Sequence, residues 1–284
     1  MAEKVSLTMV KELRERTGLG MAKCKRALEE ANGDIDAALK SLNKQGIATA
    51  AKKEGREANE GMIASAESNT ALSLVEVSAE TDFVVKNEQF RSFVQDIAEE
   101  VASTSPSSLE EFMQQKLSKN PEQTIEEYRA SMVATIGENI QVRRILVIPK
   151  TAESSFGVYS HLGGKIVSTV EIAGANDEEA LARSIAIHAA AMAPQFMKPE
   201  EIPAEIIEKE REAASEVASK APPAHVDKII DAKLNIFYNG ICLLRQPFVQ
   251  DEDVTVAELV EKQAKDTGKT LELKGFTRWA AGQV

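Results

Sequence analysis

Slid against itself by 95 residues, the sequence matches without gaps: GMIASAESNTALSLVEVSA (61–79) lies over FGVYSHLGGKIVSTVEIAG (156–174). The match pairs Ile63 with Val158, Val75 with Val170, Glu76 with Glu171 and Val77 with Ile172. A chain that repeats itself this way builds one small unit twice. Each copy alternates apolar and polar residues around a Ser/Asn- or Gly-rich turn, the pattern of a β-hairpin. A helical segment follows in both, carried by Phe90, Phe93, Val94 and Ile97 in the first and Leu181, Ile185, Ala189 and Met192 in the second. Each copy closes on a further strand, 140–148 and 271–280. The expectation is an α+β body of two related subdomains, 56–150 and 151–284, each a small antiparallel sheet with helices on one face.

The copies differ between helix and closing strand. The first has Ser108-Leu-Glu-Glu111 and Thr124-Ile-Glu-Glu127, both capping-box patterns that start helices. The second carries an insertion, about 200–240, with two helical segments broken at Pro222-Pro223. Ile206, Ala213 and Val217 mark one arm and Ile229, Ile230, Leu234 and Phe237 the other, which reads as an antiparallel helical hairpin. Its Glu and Lys content predicts that it stands out into solvent.

Residues 1–55 form a separate head of three short helices. Leu7, Val10 and Leu13 face inward on the first, from a Ser6 or Thr8 cap to Gly18; Met21, Cys24, Ala27 and Leu28 on the second; Ile35, Ala38, Leu39 and Leu42 on the third, which Asp34 caps and Gly46 follows. Lys44 to Arg56 reads as a linker or a frayed helical extension. So small a domain is marginal alone and is expected to spend leftover apolar surface on a partner.

Charge separates head from body. The chain carries a net charge of -11, yet residues 1–56 have 12 Lys and Arg against 8 Asp and Glu. An acidic body argues against direct nucleic-acid binding, because phosphate neutralisation needs a cationic face. The basic head suits either an acidic partner or plain solvation. Two cysteines, Cys24 and Cys242, make neither a disulfide framework nor a zinc site. No run approaches 18 apolar residues and the N-terminus lacks a signal-peptide core, so a cytoplasmic protein without membrane contact is expected.

Catalytic signatures are poor. His161, His188 and His225 have no metal-ligand spacing, and GxSxG, GxxxxGK[ST] and GxGxxG are all absent. Leu162-Gly-Gly-Lys165 falls at a hairpin tip rather than before a helix, which argues against a phosphate cradle. His188, among Ile185, Ala189 and Met192, reads as a packed core histidine. No catalytic residue, cofactor or metal is therefore assigned. Phe83 is the unexpected residue: Thr81-Asp82-Phe83-Val84 occupies a strand-to-helix turn where the second copy has Asn176-Asp177-Glu178. Aromatics are only 5% of the chain, so a phenylalanine at a turn is either tucked into the local core or offered to a partner.

Five segments in order carry a family resemblance: TGLGMAKCKRAL (17–28), NGDIDAA (32–38), TDFV (81–84), IGENI (136–140) and IAIHAA (185–190). Together they resemble bacterial elongation factor Ts, the nucleotide-exchange factor of the translational GTPase elongation factor Tu, across nearly the whole chain. The resemblance implies a guanine nucleotide exchange factor that binds the GDP form, disturbs the magnesium and phosphate site, and lets GDP leave and GTP enter. It implies that Asp82 and Phe83 wedge into the GTPase, with Thr81 and Val84 completing the motif. Lys11, Leu13, Arg14 and Met21 match head positions that contact the GTPase, and His161 matches an exposed histidine on the same binding face. The inserted hairpin looks like the family's coiled-coil arm. The stoichiometry stays open between a 1:1 complex and a 2:2 heterotetramer.

The chain departs from the family pattern at Leu19, Ala22 and Lys23 in the head and at Val167 beyond His161. It also stops soon after Trp279, without the helical extension that some members add. Two rivals stay in view. The head also resembles ubiquitin-associated domains, which would make the chain a binding module for something other than a GTPase; an enzyme using His161 with Asp82 would lack a nucleophile motif.

Overall fold

The computed structural model describes residues 5–219 and 221–283. Three helices open it: α1 (Leu7–Thr17), α2 (Met21–Glu30) and α3 (Ile35–Lys53). Ser6 caps α1 by accepting from the Met9 amide, and Gly18 ends it in the left-handed region at φ 67°, which glycine adopts without strain. Val10, Leu13, Leu19, Cys24, Leu28 and Leu42 close a core between the three helices. Leu7 is not part of it: the side chain expected inside is 65% exposed, because Val10 and Leu13 take the inward face of the helix.

The first half of the body runs β1 (Glu60–Glu67), β2 (Ala71–Ala79), the single turn α4 (Asp82–Val85), α5 (Glu88–Thr104), α6 (Leu109–Gln114), the short strands β3 (Lys116–Leu117) and β4 (Asn120–Thr124), α7 (Ile125–Ile136) and β5 (Gln141–Pro149). The second runs β6 (Ser154–His161), β7 (Ile166–Ala173), α8 (Glu179–Met192), the inserted α9 (Ala204–Ala218) and α10 (Val226–Ile241), β8 (Pro247–Phe248), β9 (Asp251–Thr255), α11 (Val256–Thr267) and β10 (Glu272–Ala280). The main sheets are ordered β1-β2-β5 and β6-β7-β10. In both, the closing strand returns beside the second strand of the hairpin. The fold is α+β, as the repeat predicts.

The repeat extends to single bonds. Buried Ser73 donates to the Ala98 carbonyl at 2.7 Å, and Ser168, 95 residues on, donates to that of Ala186 at 2.6 Å. Thr124 with Glu127 forms a full capping box at the start of α7, and Thr255 with Glu258 forms another at α11, one the sequence reading did not anticipate. Ser108 makes half a box: its hydroxyl accepts from the Glu111 amide, while the Glu111 carboxylate reaches back to Ser107 instead.

Registers correct the ungapped alignment of the first strands. Ile63 lies opposite Glu76, but it is Phe156, not Val158, that lies opposite Glu171. The second strands align at 95 residues and the first strands at 93. A slip of two residues keeps every side chain on its face, so alternation alone does not reveal it.

By contacts the chain forms two compact units. One takes the chain up to Lys150 together with Gly163–Lys165 and the residues from Ala280 on; the other takes Thr151–Leu162 and Ile166–Trp279. In the first, Phe90, Phe93, Val94 and Ile97 of α5 are fully buried with Phe112, Ile125 and Ile140. Gly46 does not stop α3. Its Cα comes so close to α7 that a β-carbon would stand 3.4 Å from the Ala130 carbonyl oxygen, and Ala50 beyond it joins the core. The stretch from Lys44 is thus helical up to Lys53.

In the second unit, α8 buries Leu181, Ile185 and Ala189 but leaves Met192, its last residue, 45% exposed. The arm pairs α9 with α10 through a turn at Pro223–His225. On α9 the buried residues are Ala214 and Ala218, one position on from the expected Ala213 and Val217, which are exposed together with Ile206. On α10 Leu234 is buried, as expected.

Candidate functional site

Thr81 follows β2 in extended conformation and caps α4, its hydroxyl accepting from the Val84 amide at 3.4 Å. The single turn that follows turns Val84 and Val85 into the core. That leaves Phe83 outside, 81% exposed, the most exposed large hydrophobic side chain among the described residues. A phenylalanine left in water forgoes roughly 1.5–3 kcal/mol of burial. Beside it, the Asp82 carboxylate receives Lys86 Nζ at 2.6 Å. That hydrogen bond holds the Asp82 carboxyl below its ordinary range, with smaller contributions from the Phe83 amide and the charge of Lys165.

The second copy shows what such a turn does when nothing is offered. Glu178, which the 95-residue offset sets against Phe83, is 3% exposed. Its carboxylate accepts from Lys269 Nζ and from Gln263 Nε2, both at 2.7 Å. The exposed phenylalanine is thus a feature of the first copy alone, and the alternative that it is tucked into the core is removed.

In the head, Lys11 and Arg14 project from the exposed face of α1, and Met21 is half-buried at the start of α2. Met21 lines an apolar hollow with Val5, Leu7, Val10, Ala22 and Lys25, so exposed Leu7, which the sequence reading placed inside, belongs to this surface. Leu13 needs correcting: it is fully buried in the head core and has no surface to offer a partner. It packs α1, the helix that carries Lys11 and Arg14, onto the head core. Leu19, one of the departures in the head, is also a core residue, whereas Ala22 is exposed and Lys23 half-buried.

His161 ends β6, exposed, with the Tyr159 hydroxyl 3.1 Å from Nδ1 and the two rings 5.9 Å apart. His188 is entirely buried. The Val249 amide donates to its Nδ1 at 3.1 Å, so the ring proton sits on Nε2, which donates to Gln246 Oε1 at 3.0 Å. Burial pulls its pKa down, although the Gln246 bond opposes that. Among the described residues no group of three or more His, Cys, Asp or Glu stands together to hold a metal ion, and no helix is long and apolar enough to cross a membrane.

The elongation factor TS family model matches residues 80–283. The chain is 54% identical over 279 residues to Elongation factor Ts of Protochlamydia amoebophila, across 98% of this chain and 99% of that one. It is 41% identical over 277 residues to the Elongation factor Ts of Chlamydia caviae and that of Chlamydia muridarum, across 98% of both partners in each case. The chain belongs to the elongation factor Ts family. It is a factor of translation elongation in protein biosynthesis.

The elongation factor Ts family match opens at Glu80, immediately before the Thr81–Val84 turn, and the full-length relatives take in the head as well. The sequence reading overlooked Glu138 and Glu80. Glu138 accepts from both the amide and the hydroxyl of Thr81, at 3.0 and 2.7 Å, and Glu80 accepts from the Asn139 amide at 2.6 Å. Glu138 and Asn139 lie within the IGENI segment, but only the fold brings their turn to that of Thr81, 57 residues away.

Proposed function

We propose that this chain is the guanine nucleotide exchange factor of elongation factor Tu, which binds the GDP form, loosens the magnesium and phosphate site, and lets GTP replace GDP. The exposed Phe83, beside an ionised Asp82 on a capped turn, carries this reading. Exchange makes and breaks no covalent bond, so the reading needs no nucleophile or cofactor. Magnesium demands near-octahedral geometry, so a small displacement of its surroundings loosens the nucleotide it bridges. A factor that binds the distorted GTPase better than the GDP form lowers GDP affinity, and linkage makes the effect reciprocal.

Magnitudes decide how many contacts are needed. Weakening the nucleotide by about 10⁴-fold takes roughly 5.5 kcal/mol of differential binding. Burying one phenylalanine supplies about 1.5–3 kcal/mol. The remainder falls to Asp82, to His161, and to the head through Lys11, Arg14 and Met21. The head, residues 1–55, serves as the docking domain and the two halves of the body carry the wedge and the histidine. Phe83→Ala is expected to slow release of a fluorescent GDP analogue from elongation factor Tu while leaving the complex able to form. An unchanged release rate sinks the wedge assignment.

A further inference from the structure

The turn after α7 does more than end a helix. We propose that Glu138 is a positioning residue for exchange, clasping the wedge turn so that Phe83 is presented in one orientation. The proposal rests on the wedge reading above and deepens it. Glu138 takes the Thr81 amide with one oxygen and the Thr81 hydroxyl with the other, at 3.0 and 2.7 Å. Glu80 returns the contact by accepting from the Asn139 amide at 2.6 Å. Two adjacent residues of each turn are thereby tied to two adjacent residues of the other. The Thr81 hydroxyl that Glu138 holds is the same one that caps α4, so the carboxylate fixes the cap on which Phe83 is mounted.

The same turn is anchored to the head. Buried Asn139 donates through Nδ2 to the carbonyls of Arg56 and Glu54, at 2.8 and 3.3 Å, and Lys53 of α3 donates to the Gly137 carbonyl. Wedge and head helix are therefore set in one frame by residues 137–139.

The duplication supplies an internal control. α11 ends on Gly268 in the left-handed region, as α7 ends on Gly137, and the next residue again clasps the turn after the second strand. In the second copy that residue is Lys269, and its Nζ meets Asp177 and Glu178 at 2.6 and 2.7 Å. There the clasp grips the position equivalent to Phe83 and pulls it in. In the first copy the charge is reversed and the grip has moved to Thr81, two residues earlier, which holds the turn while leaving Phe83 out.

The test measures release of a fluorescent GDP analogue from elongation factor Tu over a range of factor concentrations, with thermal unfolding checked for each variant. Glu138→Ala is expected to lower the maximal rate about tenfold while the half-saturating concentration moves by less than about threefold, since the docking surface stays intact. Glu138→Gln, which keeps an oxygen for the Thr81 amide, is expected to recover most of the rate. In a Phe83→Ala background, Glu138→Ala should add nothing, because it acts through Phe83. Parent-like rates for Glu138→Ala, or full additivity with Phe83→Ala, overturn the proposal while leaving the wedge standing. A parent-like Phe83→Ala removes the wedge itself. Should Glu138→Ala not fold, Glu138→Asp decides the matter: it keeps the charge but shortens the reach, and a parent-like maximal rate overturns the proposal.

Discussion

In the free protein Phe83 is held against the hydrophobic effect by a capped turn whose two valines face the core and whose cap Glu138 grips. Its ring contributes almost nothing to the free fold, so Phe83→Ala should leave the melting temperature within a degree or so. If the ring is buried on the partner, its loss should slow GDP release by roughly 10- to 100-fold, the equivalent of about 1.5–3 kcal/mol. Differential scanning fluorimetry and the release assay check the two halves of this expectation. His188 is the opposite kind of residue, invisible to a partner but decisive for the fold. Its Nδ1 accepts from the Val249 amide, and a proton there would set two donors face to face. The folded pKa lies below histidine's ordinary value of about 6.5, so the unfolded chain takes up a proton before the folded one does. The His188 contribution is therefore fully present above about pH 6.5 and is lost as pH falls through the folded pKa. The urea midpoint of the second unit should drop more steeply below that pH in the parent than in His188→Gln.

At the level of elements, the crossing of helix and sheet is tightest in the second copy. A β-carbon at Gly157 would stand 2.1 Å from the backbone of Ala182 and Arg183 in α8. Neither backbone can yield as a side-chain tip would, so Gly157→Ala should destabilise by at least about 1–3 kcal/mol. Gly240, inside α10, has nothing within 4 Å of its would-be β-carbon, and Gly240→Ala should stabilise the arm by about 0.5–1 kcal/mol. Denaturant unfolding of the two variants tests both signs. The repeated hairpins, their helices and their closing strands were legible in the sequence because alternation and helical spacing are local. The two-residue strands β3 and β8 were not, since two residues carry no period. Nor was α4: a single turn exists here because Thr81 caps it and Val84 and Val85 are buried, which depends on packing from far along the chain. Gly46 read as a stop because glycine usually marks one, yet here it lets α3 approach α7. On α9, alanines at both 213 and 214 left the pattern unable to say which faces α10; packing chose Ala214.

At the scale of the whole molecule, the proposed exchange is a sum of contacts rather than the act of one side chain. The TDFV turn and the exposed histidine stood out in the sequence because their residues match a family motif. The clasp on the TDFV turn did not, because it joins turns that only the fold brings together. Removing residues 1–54 should suppress exchange, but it also strips Ala50 from the core of the first unit, so a melting point must be read beside the rate. The most direct measurement is release of a fluorescent GDP analogue from purified elongation factor Tu, with the factor present at a tenth of the GTPase concentration or less. Complete release at a rate well above the spontaneous one, each factor molecule serving many GTPases, is the predicted result. Release that stops at the amount of factor added, or that proceeds no faster than without it, would contradict catalytic exchange as the function of this chain.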